Sequence, residues 1–82
     1  MELVELTKEI VMALVEDKDS VEVKEFDTDE ENTILIQVMV NDTDAGRVIG
    51  KAGKTANAIR TLVQASSYLQ DNKKVKINID TF

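Results

Sequence analysis

Apolar and polar positions recur along this chain in two periods, and the switches between them mark six elements. Over residues 2–16, Leu3, Leu6, Ile10, Ala13 and Leu14 return at three- and four-residue spacing, with Val4, Val11 and Val15 beside them. That spacing predicts an amphipathic helix, with Glu2 and Glu5 in the first turn where acids suit the helix dipole. Asp17-Lys18-Asp19-Ser20 ends it. Over residues 21–26 the period drops to two: Val21 and Val23 alternate with Glu22 and Lys24, and Phe26 shifts the phase. A polar connection of hairpin length, Asp27 to Asn32, leads to the strongest strand pattern, Thr33 to Val40, rich in β-branched residues. Ile34, Ile36, Val38 and Val40 share one face and Leu35, Gln37 and Met39 the other, which predicts a central strand.

Asn41-Asp42-Thr43-Asp44 is a cluster of helix-capping residues, and a short helix over about 44–49 is expected after it, capped by Asp42 or Thr43. Residues 54–69 return to the helical period, with Ala58, Ile59, Leu62, Ala65, Ser66 and Leu69 expected on one side. After a turn at Gln70 to Lys74, Val75, Ile77 and Ile79 alternate with Lys76, Asn78 and Asp80 in a last half-buried strand. The order is αββααβ, an α+β class. The first two strands should pair as an antiparallel hairpin, and the helical pair is long enough to return the chain so that the last strand runs parallel to one of them. A three-stranded mixed sheet with three helices on one face would bury the apolar stripes.

Between the short helix and the second long one stands Arg47-Val48-Ile49-Gly50-Lys51-Ala52-Gly53-Lys54. Two glycines three residues apart cost backbone entropy and pack nothing, so they need a reason. They permit a tight bend to which another backbone can come close. The bend opens into a helix whose first amides have no internal partners and whose dipole is positive at that end. With Lys51, Lys54 and Arg47 beside those amides, the stretch is a candidate seat for phosphate.

The charge distribution strengthens that reading. The net charge is −6, which by itself disfavours a nucleic-acid partner. Residues 1–44, however, hold 14 acids and 3 bases, net −11, whereas residues 45–82 hold 2 acids and 7 bases, net +5. The basic half begins where the glycine loop begins, and a local positive face steers phosphate more than the total does. Eighty-two residues make one domain, 1–82. No stretch reaches the ~18 apolar residues of a membrane span. The acidic start differs from the basic opening of a secretory leader, and the lack of cysteine fits a cytoplasmic setting. With no His and no Cys, the usual general bases, nucleophilic triads and thiolate metal sites are excluded, so neither an enzyme nor a cofactor is expected.

Val48-Ile49-Gly50-Lys51-Ala52-Gly53-Lys54 resembles the core signature of the KH domain, V-I-G-x-x-G-[KR], and the αββααβ order resembles its type II arrangement. The whole chain is similar to the small bacterial stand-alone KH proteins of the KhpA type, including the opening helix and the run Thr55 to Leu62. The resemblance implies binding of single-stranded RNA, or sometimes DNA, with the loop clamping the backbone of about four nucleotides. By motif, Gly50 and Gly53 would allow the close contact, Lys51 and Lys54 would face phosphates, and Ala52 would keep the loop slim. Val48, Ile49, Ala56, Asn57 and Arg60 would lie near bases or sugar, with Lys76 or Lys74 at the far wall. The only aromatics are Phe26, Tyr68 and Phe82, none in the signature, so bases would rest mainly on aliphatic surface. The resemblance also implies a homodimer, or a heterodimer with a larger multi-domain KH protein of the Jag or KhpB type. It implies RNA-chaperone or post-transcriptional roles linked to cell shape.

Four other readings compete. A plain helix-turn-helix corner leaves the lysines and the charge switch as coincidence. A nucleotide-binding phosphate loop needs glycine at position 48, which is valine. The acids Asp27, Asp29, Glu30 and Glu31 match no calcium loop and read as a solvated hairpin tip. A protein-interaction module with RNA binding secondary stays in play, motivated by the acidic first half.

Overall fold

The computed structural model describes residues 2–82, with the elements in the expected order. Helix α1 spans Leu3–Leu14, strand β1 Glu22–Asp27, strand β2 Thr33–Val40, helix α2 Ala45–Ile49, helix α3 Lys54–Gln70 and strand β3 Lys74–Thr81. Single 3-10 turns at Lys18–Ser20, Asp42–Asp44 and Lys51–Gly53 join them. β1 pairs antiparallel with β2, and β3 pairs parallel with β2, so β2 is central as its pattern predicts. The three helices cover one face, and this is the type II KH arrangement that the resemblance implies.

The even-numbered side chains of β2 point under the helices: Ile34, Ile36, Val38 and Val40 are all buried. Among the described residues no layer covers the opposite face, so Leu35, Gln37 and Met39 are only half-buried. Val11 of α1, Val48 of α2 and Ile59 and Val63 of α3 close the core from above. Val48 is fully buried, and a valine so placed contributes roughly 1.5–3 kcal/mol by leaving water. That burial helps to pin a helix of five residues, too short to persist without tertiary support.

Both long helices are turned partly away from the expected face, Leu3 and Ile59 being buried as expected. α1 buries Leu3, Thr7 and Val11, whereas Ala13 is exposed and Leu6, Ile10 and Leu14 are half-buried. α3 buries Ala56, Ile59, Val63 and Ser67, leaving Leu62 and Leu69 in solvent. The reason is the same twice. Each buried face runs through a small hydroxyl residue whose proton already has a partner. Thr7 Oγ1 donates to Leu3 O at 2.7 Å, and Ser67 Oγ donates to Lys73 O at 2.7 Å. A satisfied hydroxyl is inexpensive to bury, but a periodicity count treats it as polar and moves the stripe onto the greasier neighbours. α1 also stops at Leu14, before the expected residue 16, because Val15 turns extended and enters the core. The helix cap is neither Asp42 nor Thr43. Asp44 stands at the start of α2 without a side-chain cap bond, and Asn41 caps the preceding 3-10 turn, its Oδ1 accepting from Thr43 N at 3.2 Å.

Candidate nucleic-acid interface

The glycine loop is held in place from behind. Asp44, at the start of α2, is buried, and its two carboxylate oxygens accept from Glu16 N and Asp17 N, each at 3.1 Å. Asn41 Nδ2 donates to Asp17 Oδ2 at 3.1 Å, and Ser20 Oγ donates to the same oxygen at 2.6 Å. The Ser20 bond foremost, then the Asn41 bond, holds the Asp17 carboxyl below the usual carboxylate range. These contacts tie α2 to the end of α1, across 27 to 28 residues of sequence.

From that base the chain leaves α2 into three left-handed positions within four residues. Gly50 has φ 76°, Ala52 φ 56° and Gly53 φ 76°. The glycines are needed for different reasons. A Cβ on Gly50 would stand 2.6 Å from Thr55 Cβ and 2.8 Å from Thr55 N, so the start of α3 packs on bare backbone. At Gly53 an added Cβ would meet nothing, and only the backbone angle calls for glycine. Ala52 adopts the left-handed region with a side chain attached, which costs on the order of 1–2 kcal/mol and is kept by the surrounding turn.

Gly50 N donates to Gly46 O at 2.9 Å, Gly53 N to Gly50 O at 3.2 Å and Lys54 N to Lys51 O, whereas Lys51 and Ala52 open the 3-10 turn, where the first amides have no partner within the turn itself. No side chain among the described residues caps the N-terminus of α3. Lys51, Ala52 and Lys54 are exposed, and neither lysine joins an ion pair among the described residues. The opening amides of that turn, the start of α3 and two ammonium groups without an ion pair among the described residues converge on one patch of solvent. Chemically it can seat the oxygens of a phosphodiester.

The expected site residues divide on this geometry. Ile49, Gly50, Lys51, Ala52, Gly53 and Lys54 lie on the loop, with Ile49 presenting an apolar side chain that is 42% exposed. Asn57 and Arg60 continue along the flank of α3 that faces β3: Arg60 Nη1 donates to Asn57 Oδ1 at 3.1 Å, and Arg60 Nε to Ile77 O at 3.3 Å. Val48 is not groove-lining, because it is sealed in the core. Arg47 turns back to Glu16, with 2.6 Å between Nη2 and Oε1, and so brings a partly neutralised charge. Lys76, expected at the far wall, stands on the open face of the sheet. It is an even-numbered residue of β3, paired across from Leu35, and its ammonium meets Glu30 at 2.6 Å. The strand's two-residue period puts it there.

Two residues passed over in the sequence complete the groove. Asp44 positions α2, and only its place among the cap residues hinted at it. Gln64 faces the free edge of β3, where its Nε2 donates to Lys73 O and its Oε1 accepts from Val75 N, both at 2.9 Å. A glutamine inside a helix gives no signal of that in sequence.

A family model described as KhpA/KhpB, KH domain, matches residues 4–79. A protein of Caldanaerobacter subterraneus named RNA-binding protein KhpA is 45% identical over 75 residues, covering 92% of this chain and 96% of its own. The RNA-binding protein KhpA of Bacillus subtilis is 42% identical over 77 residues, covering 94% and 91% respectively. Among solved structures, Aquifex aeolicus Era bound to GDP and AlF4 superposes with a TM-score of 0.73 at 21% identity, over 98% of this chain and 30% of Era. That likeness concerns the fold.

Proposed function

The chain belongs to the KhpA/KhpB family of KH domains, and from that premise we propose that it binds single-stranded RNA without catalysing a reaction, with the loop Gly50 to Gly53 as the clamp on the sugar-phosphate backbone. The observation that carries the proposal is the bend itself: Lys51 and Ala52 open a 3-10 turn between two left-handed glycines, both are exposed, and Lys51 and Lys54 join no ion pair among the described residues. Phosphate oxygens accept from the amides, Lys51 and Lys54 supply charge, and bases turn toward Ile49 and the β3-facing flank of α3. The relatives named above are RNA-binding proteins, which agrees with this chemistry. A chaperone-like or post-transcriptional role in the cytoplasm follows as the biological setting.

The test is a salt titration of a short single-stranded RNA. With about three cations engaged, Lys51, Lys54 and Arg60, the logarithm of affinity should fall with that of salt at a slope near −2, from ~0.7 counterions released per phosphate. A salt-independent affinity overturns the reading.

A second reading rests on a separate observation. Ala58, Leu62, Ala65 and Leu69 form an exposed apolar ridge on α3, with Leu69 88% accessible. Such a ridge suits self-association, or pairing with a larger multi-domain KH protein of the same family. Light scattering of the parent and of Leu69→Glu decides it: a dimer that dissociates supports the reading, and a monomeric parent removes the homodimer.

A further inference from the structure

We propose that the RNA groove does not end at the loop but runs along α3 to a stacking subsite at Tyr68, where a base beyond the clamped nucleotides lies against the phenol ring. This rests on the RNA-binding reading above and adds a site to it. Between α3 and the edge of β3 lies an open cleft of about 440 Å3, lined by Arg60, Thr61, Gln64, Ala65, Tyr68 and Val75. Arg60 belongs to both the loop-proximal groove and this cleft, so the two surfaces are continuous. Asn57, Arg60, Thr61, Gln64 and Tyr68 recur at three- and four-residue spacing, which puts them in one row along the helix. At ~1.5 Å per residue the row runs about 17 Å from Asn57 to Tyr68. A strand held by its backbone at the loop is therefore led along the row toward the ring.

The chemistry of the cleft selects its occupant. A peptide strand would need the free edge of β3, but that edge is already engaged. Lys74 N donates to Asn32 O and Phe82 N to Val40 O, so the odd-numbered amides and carbonyls of β3 face outward. Of these, Val75 N is taken by Gln64 and Ile77 O by Arg60. Strand addition is blocked at the centre of the cleft. What remains is a slot floored by Val75 and Ala65 and walled by an aromatic ring that is 55% exposed. An aromatic edge with a guanidinium nearby takes a nucleobase, as in sequence-tolerant binding of single strands. The larger cleft of about 610 Å3, bordered by Glu2, Glu25 and Asp71, has the wrong charge for the same strand.

The experiment uses the full chain as parent, Tyr68→Ala and Tyr68→Phe, with oligoadenylates of four and eight nucleotides. Tyr68 is the sole tyrosine and there is no tryptophan, so tyrosine emission reports on this ring alone. Tyr68→Ala should lose about tenfold in affinity for the eight-mer, within the range for one aromatic–base stack, and less than about twofold for the four-mer. Tyr68→Phe should match the parent with both. The parent's emission should be quenched by the eight-mer and not by the four-mer. Equal loss for both lengths, or none for the eight-mer, overturns the subsite while the loop reading stands. A change of mass in Tyr68→Ala with eight-mer affinity intact assigns the ring to a protein contact and also overturns it. Failure of the parent to bind either length overturns both.

Discussion

Two exposed turns of this protein share a backbone feature and differ in everything that decides what they bind. The β1–β2 turn and the loop between α2 and α3 each hold a non-glycine residue in the left-handed region, Asn32 at φ 52° and Ala52 at φ 56°. The hairpin turn is closed on itself. Thr28 Oγ1 donates to Thr33 O at 3.0 Å and accepts from Glu30 N at 3.2 Å, and Thr33 Oγ1 donates to Glu31 O at 3.1 Å. Its charges are acidic, and Lys76 reaches over to Glu30. The glycine loop is closed by backbone bonds alone, with no side-chain hydrogen bond across it among the described residues. Asparagine tolerates the left-handed region, whereas alanine is strained there, and strain retained in a conformation that exposes amides is a common mark of a binding site. On the proposed reading, a tight turn becomes a phosphate seat through the backbone its bend exposes and the sign of the charge beside it.

The contrast can be broken most severely by charge. Lys51→Glu with Lys54→Glu makes the loop resemble the hairpin and should lower affinity for single-stranded RNA by more than about thirtyfold, with the thermal midpoint unchanged because both side chains are exposed. Filter binding and a melting curve check the two halves of that statement. Next in size is Gly50→Ala, which meets the backbone and side chain of Thr55 and should cost roughly 2–4 kcal/mol in chemical denaturation. Asp44→Ala leaves the amides of Glu16 and Asp17 without their carboxylate and should cost about 2–3 kcal/mol. Gly53→Ala strains the same loop with no clash and should cost only about 1 kcal/mol. The difference between the two glycine variants is the sharper result, since a motif reading treats them as equivalent.

The smallest effect belongs to the hairpin. The Lys76 hydrogen bond and charge hold the Glu30 carboxyl below its usual range. A carboxyl lowered on folding adds stability above its unfolded value, and that stability is lost as pH falls through the native value. The pair is exposed, so Glu30→Gln should barely change the melting temperature at pH 7. Whatever difference exists should fade as the pH drops below the ordinary glutamate value of about 4.3.

Much of this fold was legible in sequence where one signal dominated. β2 runs Thr33–Val40 as its β-branched pattern predicts, and the glycine loop stands where composition, charge switch and motif coincide. The core faces of α1 and α3 were legible only in part, because Thr7 and Ser67 become buriable only through bonds to carbonyls. The support for α2 was hidden because Asp44 finds its partners near the end of α1, and no local pattern encodes that distance. At the site, the lysines of the loop were readable from the motif. The positions of Val48 and Lys76 were set by which face of a helix or strand turned inward, and so was the long flank of α3.

The most direct measurement is the backbone amide spectrum of the protein titrated with a short single-stranded RNA. The account predicts that the Lys51 and Ala52 signals shift most, followed by Gly53, Lys54 and Arg60, while those of residues 28–32 stay still. Large shifts in the hairpin or on the open sheet face, with Lys51 and Ala52 unmoved, would contradict it.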